Sequence, residues 1–141
     1  MVNNITRLLD SKKITYQSFD LPVEKLGAEE TAQMLGVPAW KVYKSIILRQ
    51  EKTGKPIIAV IPGDREVDLK RVAKVIGEKK VLLTSQARAE RLTGLQAGGI
   101  SPLALINQGF TVLIDESALH WEQIHISGGQ RGLILLLGLL I

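Results

Sequence analysis

Two β-rich runs, Val42 to Leu48 and Pro56 to Ile61, stand either side of Glu51-Lys52-Thr53-Gly54-Lys55, and that spacing predicts an antiparallel hairpin. In the first run, Val42-Tyr43-Lys44-Ser45-Ile46-Ile47-Leu48, both alternating sets of side chains are largely apolar. A strand with two apolar faces belongs inside a sheet, covered on both sides. Lys44 shares a face with Val42, Ile46 and Leu48, so its ammonium must reach water, an anion or a pocket. Leaving it buried and unpaired would cost several kcal/mol.

The remaining segments supply neighbours for this hairpin. Ile5, Leu8 and Leu9 have helical spacing, and Ile14 to Phe19 alternates as a strand. A helix is expected over Ala28 to Leu35, stopped by Gly36 and Pro38. Another should cover Val67 to Ile76, ended by Gly77, followed by a short strand Val81 to Leu83. Ser85 is the expected N-cap of a helix through Leu92, closed by Gly94. Phe110 to Ile114 reads as a strand, with a turn or short helix from Asp115, which caps it. Ile124 to Ile126 and Leu133 to Leu137 form a final strand pair around Ser127-Gly128-Gly129. The expected class is α+β, one domain over residues 1–141. Its six- to seven-stranded mixed sheet either lies open or closes partly into a barrel with flanking helices. Strand order does not follow from these patterns.

Composition narrows the chemistry. Cysteine is absent and the only histidines are His120 and His125, so thiolate nucleophiles and disulfides are excluded and no metal centre is expected. No cofactor is expected either. Met1 to Ile5 lacks the basic and apolar regions of a signal peptide. The apolar run Leu133 to Ile141 is about half the length of a membrane-spanning helix and reads as a buried strand. The expected setting is the cytoplasm, away from membranes. A net charge of +4 favours a polyanionic partner. Lys70, Arg71, Lys74, Lys79 and Lys80 offer a basic surface for RNA phosphates or simply a solvated helix face.

Two glycine-rich turns carry the other candidate residues. Ala97-Gly98-Gly99-Ile100-Ser101-Pro102 can bring consecutive backbone N–H groups close to a carbonyl or phosphate oxygen, or serve only as a tight connection. Ile126-Ser127-Gly128-Gly129-Gln130-Arg131-Gly132 ends a strand with a serine beside paired glycines, which a hairpin turn alone would also require. Nothing resembles a nucleophile elbow, and neither histidine has a claim as a base for Ser127. Both histidines are read as surface or structural residues, His125 on the strand face opposite Ile124 and Ile126.

Five stretches taken together resemble the YbaK family, the prolyl-tRNA-synthetase-associated editing domains. In order they are Val42-Tyr43-Lys44-Ser45, Ala59 to Asp68, Gly98 to Leu103, Val112 to Leu119, and Ser127 to Leu133. Each is weak alone; five in order are specific. The resemblance implies a mixed α/β fold around a six- or seven-stranded sheet or barrel, and hydrolysis of the ester joining an amino acid to the tRNA 3′ adenosine. It implies catalytic roles for Lys44 and Gly98. It also implies substrate contacts from Gly99, Ile100, Ser101, Pro102, Ser127 and Gly128, with Tyr16 carried over from the N-terminal region. Leu26 stands where some members have an aromatic residue, and the apolar end of the chain departs from the acidic, proline-containing tail of relatives.

An aminoacyl ester is already activated, so such a site need only place a nucleophile and stabilise the oxyanion. Family members are thought to recruit the tRNA ribose hydroxyl or a substrate thiol. The expected substrates are Cys-tRNA(Pro) or Cys-tRNA(Cys), then Ala-tRNA(Pro), with prolyl- or cysteinyl-tRNA synthetase as partner. The competing readings are a silent module that binds tRNA ends or a synthetase, and a hydrolase of small free esters or nucleotides.

Overall fold

The structure is a computed structural model that describes residues 3–106 and 108–138. Residues 139–141 of the apolar run at the end of the chain therefore lie outside the described residues.

The predicted hairpin forms. Strand β2 (Tyr43–Gln50) pairs antiparallel with β3 (Pro56–Pro62), Lys44 standing opposite Ile61. On its other side β2 pairs with β4 (Val81–Leu83), and β3 pairs in parallel with β5 (Thr111–Ile114), giving a mixed sheet in the order β4-β2-β3-β5. The remaining strands, β1 (Tyr16–Asp20), β6 (Ile124–Ser127) and β7 (Leu133–Leu137), make an antiparallel sheet in the order β1-β7-β6. The class is α+β with seven strands, as expected. They are divided between two sheets, and no barrel closes among the described residues.

Burial explains the division. Tyr43, Ile47, Ile58 and Val60 from one sheet pack against Ile124, Ile126, Leu133, Leu135 and Leu137 from the other. The alternate residues Leu48, Ile57 and Ala59 face a second cluster with Ala73 of α3 (Leu69–Ile76). The two apolar faces of the hairpin are thus both covered, as its sequence demands. Val42, just before β2, also forms an isolated parallel bridge with His125 of β6. Beside it Trp40 and Trp121 stack with ring centres 4.7 Å apart.

Helix boundaries follow local chemistry. α2 (Ala28–Leu35) ends at Gly36 in the left-handed conformation, φ 69°. α3 starts two residues later than expected because Asp68 caps it, accepting from the Arg71 N–H. Ser85 caps α4 (Gln86–Thr93) in the same way. Asn3 and Thr6 exchange side-chain and backbone bonds at the start of α1 (Asn4–Ser11). Asn3 Nδ2 also donates to Gly128 O at 2.9 Å and Gln130 Oε1 at 3.0 Å, tethering α1 to the β6–β7 turn. Asp115 accepts from the Ser117 N–H and opens a 3-10 turn over Glu116–His120, the capping role expected of it.

Candidate active site

A gap in strand pairing opens a cleft beside β2. β4 meets β2 only from Leu48 to Gln50, and the Thr84 N–H and hydroxyl both bond the Ile47 carbonyl to end that contact. Backbone groups alternate in direction along a strand, so the edge of β2 at Tyr43 and Ser45 continues into open space. There a cleft of about 450 Å³ lies between Thr84 on one side and Ser127 on the other. That volume suits a small ligand.

Lys44, Gly98, Ile100 and Ser127, drawn from three separate sequence stretches, line this cleft together. Lys44 is half-buried, and its Nζ donates to the carbonyl of Gly63 at 3.3 Å. No carboxylate neutralises it among the described residues. Gly63 is held by its own N–H, which donates to the Val42 carbonyl at 2.7 Å. The lining contains no histidine, aspartate or glutamate, so Lys44 is its one charged side chain among the described residues. Leu26, Ala28 and Thr31, at and just before the start of α2, form the far wall, and Leu26 stands in the position discussed above.

The two glycine turns are pressed against each other. A β-carbon on Gly99 would lie 2.7 Å from the backbone of both Gln130 and Arg131. Gly98 has φ 88°, and Arg131 Nε donates to the Ala97 carbonyl at 2.7 Å. Contact this close explains why position 99 is a glycine.

Other expected site residues stand behind the wall. Gly99 is buried at the turn–turn contact, and Gly128 packs on Leu133. Ser101 is fully buried, its Oγ accepting from the Leu103 N–H, and Pro102 begins the short 3-10 turn that follows. They shape the loop that presents Gly98 and Ile100. Tyr16 is not brought to the cleft. It packs on the main core beside α1, and partial desolvation followed by the Asp10 carboxylate raises its hydroxyl above the usual tyrosine value. Strand alternation accounts for this, since Tyr16 pairs with Leu137, a core residue.

His125 is buried beside Phe19, with Nδ1 lacking a hydrogen bond. Burial, chiefly, and the Lys41 charge hold its pKa below 6.5, against an opposing hydrogen bond with the Lys41 backbone. His120 is exposed at the end of its 3-10 turn. Neither lines the cleft. Thr31, Ser45, Thr84 and Gln86 do line it without having been singled out from sequence. Only Ser45, next to the motif lysine, carried a local signal.

Known proteins resemble this chain in sequence and in fold. The sequence model of the aminoacyl-tRNA editing domain matches residues 24–138. A protein of Enterococcus faecalis named as a Cys-tRNA(Pro)/Cys-tRNA(Cys) deacylase is 35% identical over 132 residues, covering 92% of this chain and 79% of that protein. A proline–tRNA ligase of Pelotomaculum thermopropionicum is 31% identical over 90 residues, 64% of this chain but 15% of the ligase. A crystal structure described as a trans-editing enzyme for prolyl tRNA synthetase superposes with a TM-score of 0.74 at 20% identity, covering 98% of this chain and 88% of the other. The matched span runs from Glu24, just before the cleft's far wall, through β7, and takes in every residue that lines the cleft. The chain belongs to the aminoacyl-tRNA editing domain family.

Proposed function

We propose that the protein is a trans-editing deacylase that hydrolyses the ester of Cys-tRNA(Pro) or Cys-tRNA(Cys) in the cleft between β2 and β6. The observation carrying this reading is the convergence of one half-buried cation, Lys44, with the Gly98 backbone and Ser127 around a space of about 450 Å³. Family membership and the deacylase relative support aminoacyl-tRNA hydrolysis as the reaction. Cysteine as the amino acid rests on that relative's name, and Ala-tRNA(Pro) is the next candidate.

The chemistry suits these residues. The oxygen of a water molecule attacks the ester carbonyl carbon, and the proton it loses passes to solvent or through the vicinal ribose hydroxyl. The carbonyl electrons move onto oxygen, and the Gly98 N–H donates a hydrogen bond to that developing oxyanion. On collapse the bond to the ribose oxygen breaks, and that oxygen leaves as the hydroxyl after taking a proton. Lys44 contributes positive charge, either to the oxyanion or to the terminal phosphate. No carboxylate or imidazole lines the cleft among the described residues, so nucleophile activation falls to solvent or to groups of the substrate. Ile46, Ile100 and Ile134 give the cleft apolar walls compatible with a small side chain.

Prolyl- or cysteinyl-tRNA synthetase is the proposed partner, supported by the similarity to proline–tRNA ligases. The test is release of labelled amino acid from a panel of charged tRNAs. Preferential release from Cys-tRNA supports the reading. Binding of tRNA without release from any member would favour a silent module, and turnover of free esters alone would favour a small-ester hydrolase.

A further inference from the structure

The loop that carries Gly98 is anchored at one residue, Ala97, through the peptide on either side of it, by two charged side chains that lie outside the cleft's lining. Glu90, on α4, accepts the Ala97 N–H through Oε2 at 2.8 Å. Arg131, in the β6–β7 turn, donates Nε–H to the Ala97 carbonyl at 2.7 Å. On the far side, the Gly99 N–H donates to the Gln96 carbonyl at 2.8 Å. Between these bonds the Gly98 N–H has no partner among the described residues, and Ala97 and Gly98 both line the cleft.

A trans peptide directs its N–H opposite to its C=O. Fixing the Ala97 carbonyl on Arg131 therefore turns the Gly98 N–H away from that guanidinium. Glycine visits positive and negative φ with similar ease, so the Ala97–Gly98 peptide has little intrinsic preference for its orientation at φ 88°. A flip would point a carbonyl where the donor stands. Bonds to charged groups are about twice as strong as neutral ones, and here one acts on each polar atom of Ala97.

We propose that Arg131, directly, and Glu90, by fixing the preceding Gln96–Ala97 peptide, are positioning residues that hold the Ala97–Gly98 peptide with its N–H available to the ester carbonyl oxygen. The proposal rests on the deacylase reading for its catalytic consequence, whereas the anchoring itself is independent of it. The two anchors come from different elements, so the turn–turn contact becomes part of the catalytic geometry rather than mere packing.

The test compares wild type with Arg131→Met, Arg131→Lys, Glu90→Ala and the double variant Arg131→Met/Glu90→Ala. Steady-state release of labelled cysteine over a range of charged-tRNA concentrations gives kcat and KM, and the Gly98 amide resonance reports the peptide's orientation. Arg131→Met should lower kcat by about tenfold or more with KM within about twofold, since losing an oxyanion donor outright costs about 100- to 1000-fold. Arg131→Lys should recover part of the loss. The double variant should be little worse than the poorer single one, because both fix the backbone of the same residue, Ala97. The Gly98 resonance should move in Arg131→Met while thermal unfolding stays cooperative. Wild-type kcat with an unmoved resonance in folded Arg131→Met would overturn the proposal. Should Arg131→Met not fold, the same two readouts on Glu90→Ala decide it. If wild type releases no amino acid at all, the deacylase reading falls, and the Gly98 resonance alone still supports or refutes the anchoring.

Discussion

Gly63 shows how tightly single positions are set around Lys44. A β-carbon there would lie 2.7 Å from the Ala28 β-carbon, 2.7 Å from the Val42 carbonyl and 2.8 Å from the Ala39 carbonyl. Two of those three are backbone atoms that cannot swing aside. Gly63→Ala should therefore destabilise the fold by about 1–3 kcal/mol, visible as a lower urea midpoint. It should also slow deacylation, because the Gly63 carbonyl is what Lys44 Nζ bonds. A stable Gly63→Ala with wild-type turnover would show that this packing does not matter. His125 makes a second prediction at this scale. Its folded pKa lies below the ordinary 6.5, chiefly from burial, so below about pH 6.5 the unfolded chain binds more protons than the folded one. Its contribution to stability is complete above pH 6.5 and is lost as pH falls through the folded value. The thermal midpoint should drop between pH 7 and pH 5, and His125→Phe should flatten that drop; an equal drop in the variant would assign it to other groups.

Among the elements, legibility depended on whether the signal was local. The β2–β3 hairpin and α2 are written in apolar runs bounded by turn residues, and both form where expected. The 3-10 turn Ala39–Lys41 was not legible, since three residues carry no periodicity. The split into two sheets was not legible either, because it depends on where β4 stops pairing along β2, a long-range outcome of packing. The site follows the same rule. Lys44 could be singled out because a cation in an apolar strand needs an explanation. The turns holding Gly98 and Ser127 were marked by paired glycines, yet which of their residues face the cleft is decided by backbone torsions. Hence Gly99, Ser101, Pro102 and Gly128 sit behind it. Glu90 had no sequence signal, being one charge among several on an exposed helix. Gly99→Ala tests the turn–turn contact directly: it should lower both the unfolding midpoint and kcat, and a change in neither would show that the turns can separate freely.

At the scale of the whole molecule, +4 net charge and exposed Lys70, Arg71 and Lys74 on α3 suit a polyanionic partner. Affinity for tRNA should fall as salt rises, log K declining linearly with log salt concentration as phosphate contacts release counterions. A flat response in filter binding would remove phosphate contacts from the account. No helix among the described residues is long and apolar enough to cross a membrane. The most direct measurement of the central claim is release of labelled cysteine from Cys-tRNA(Pro) by wild type and by Lys44→Ala, with folding of both checked by circular dichroism. Wild type should release cysteine and the folded variant should be slower by at least about tenfold, equivalent to about 1.4 kcal/mol of barrier. Equal rates from the two would contradict that claim.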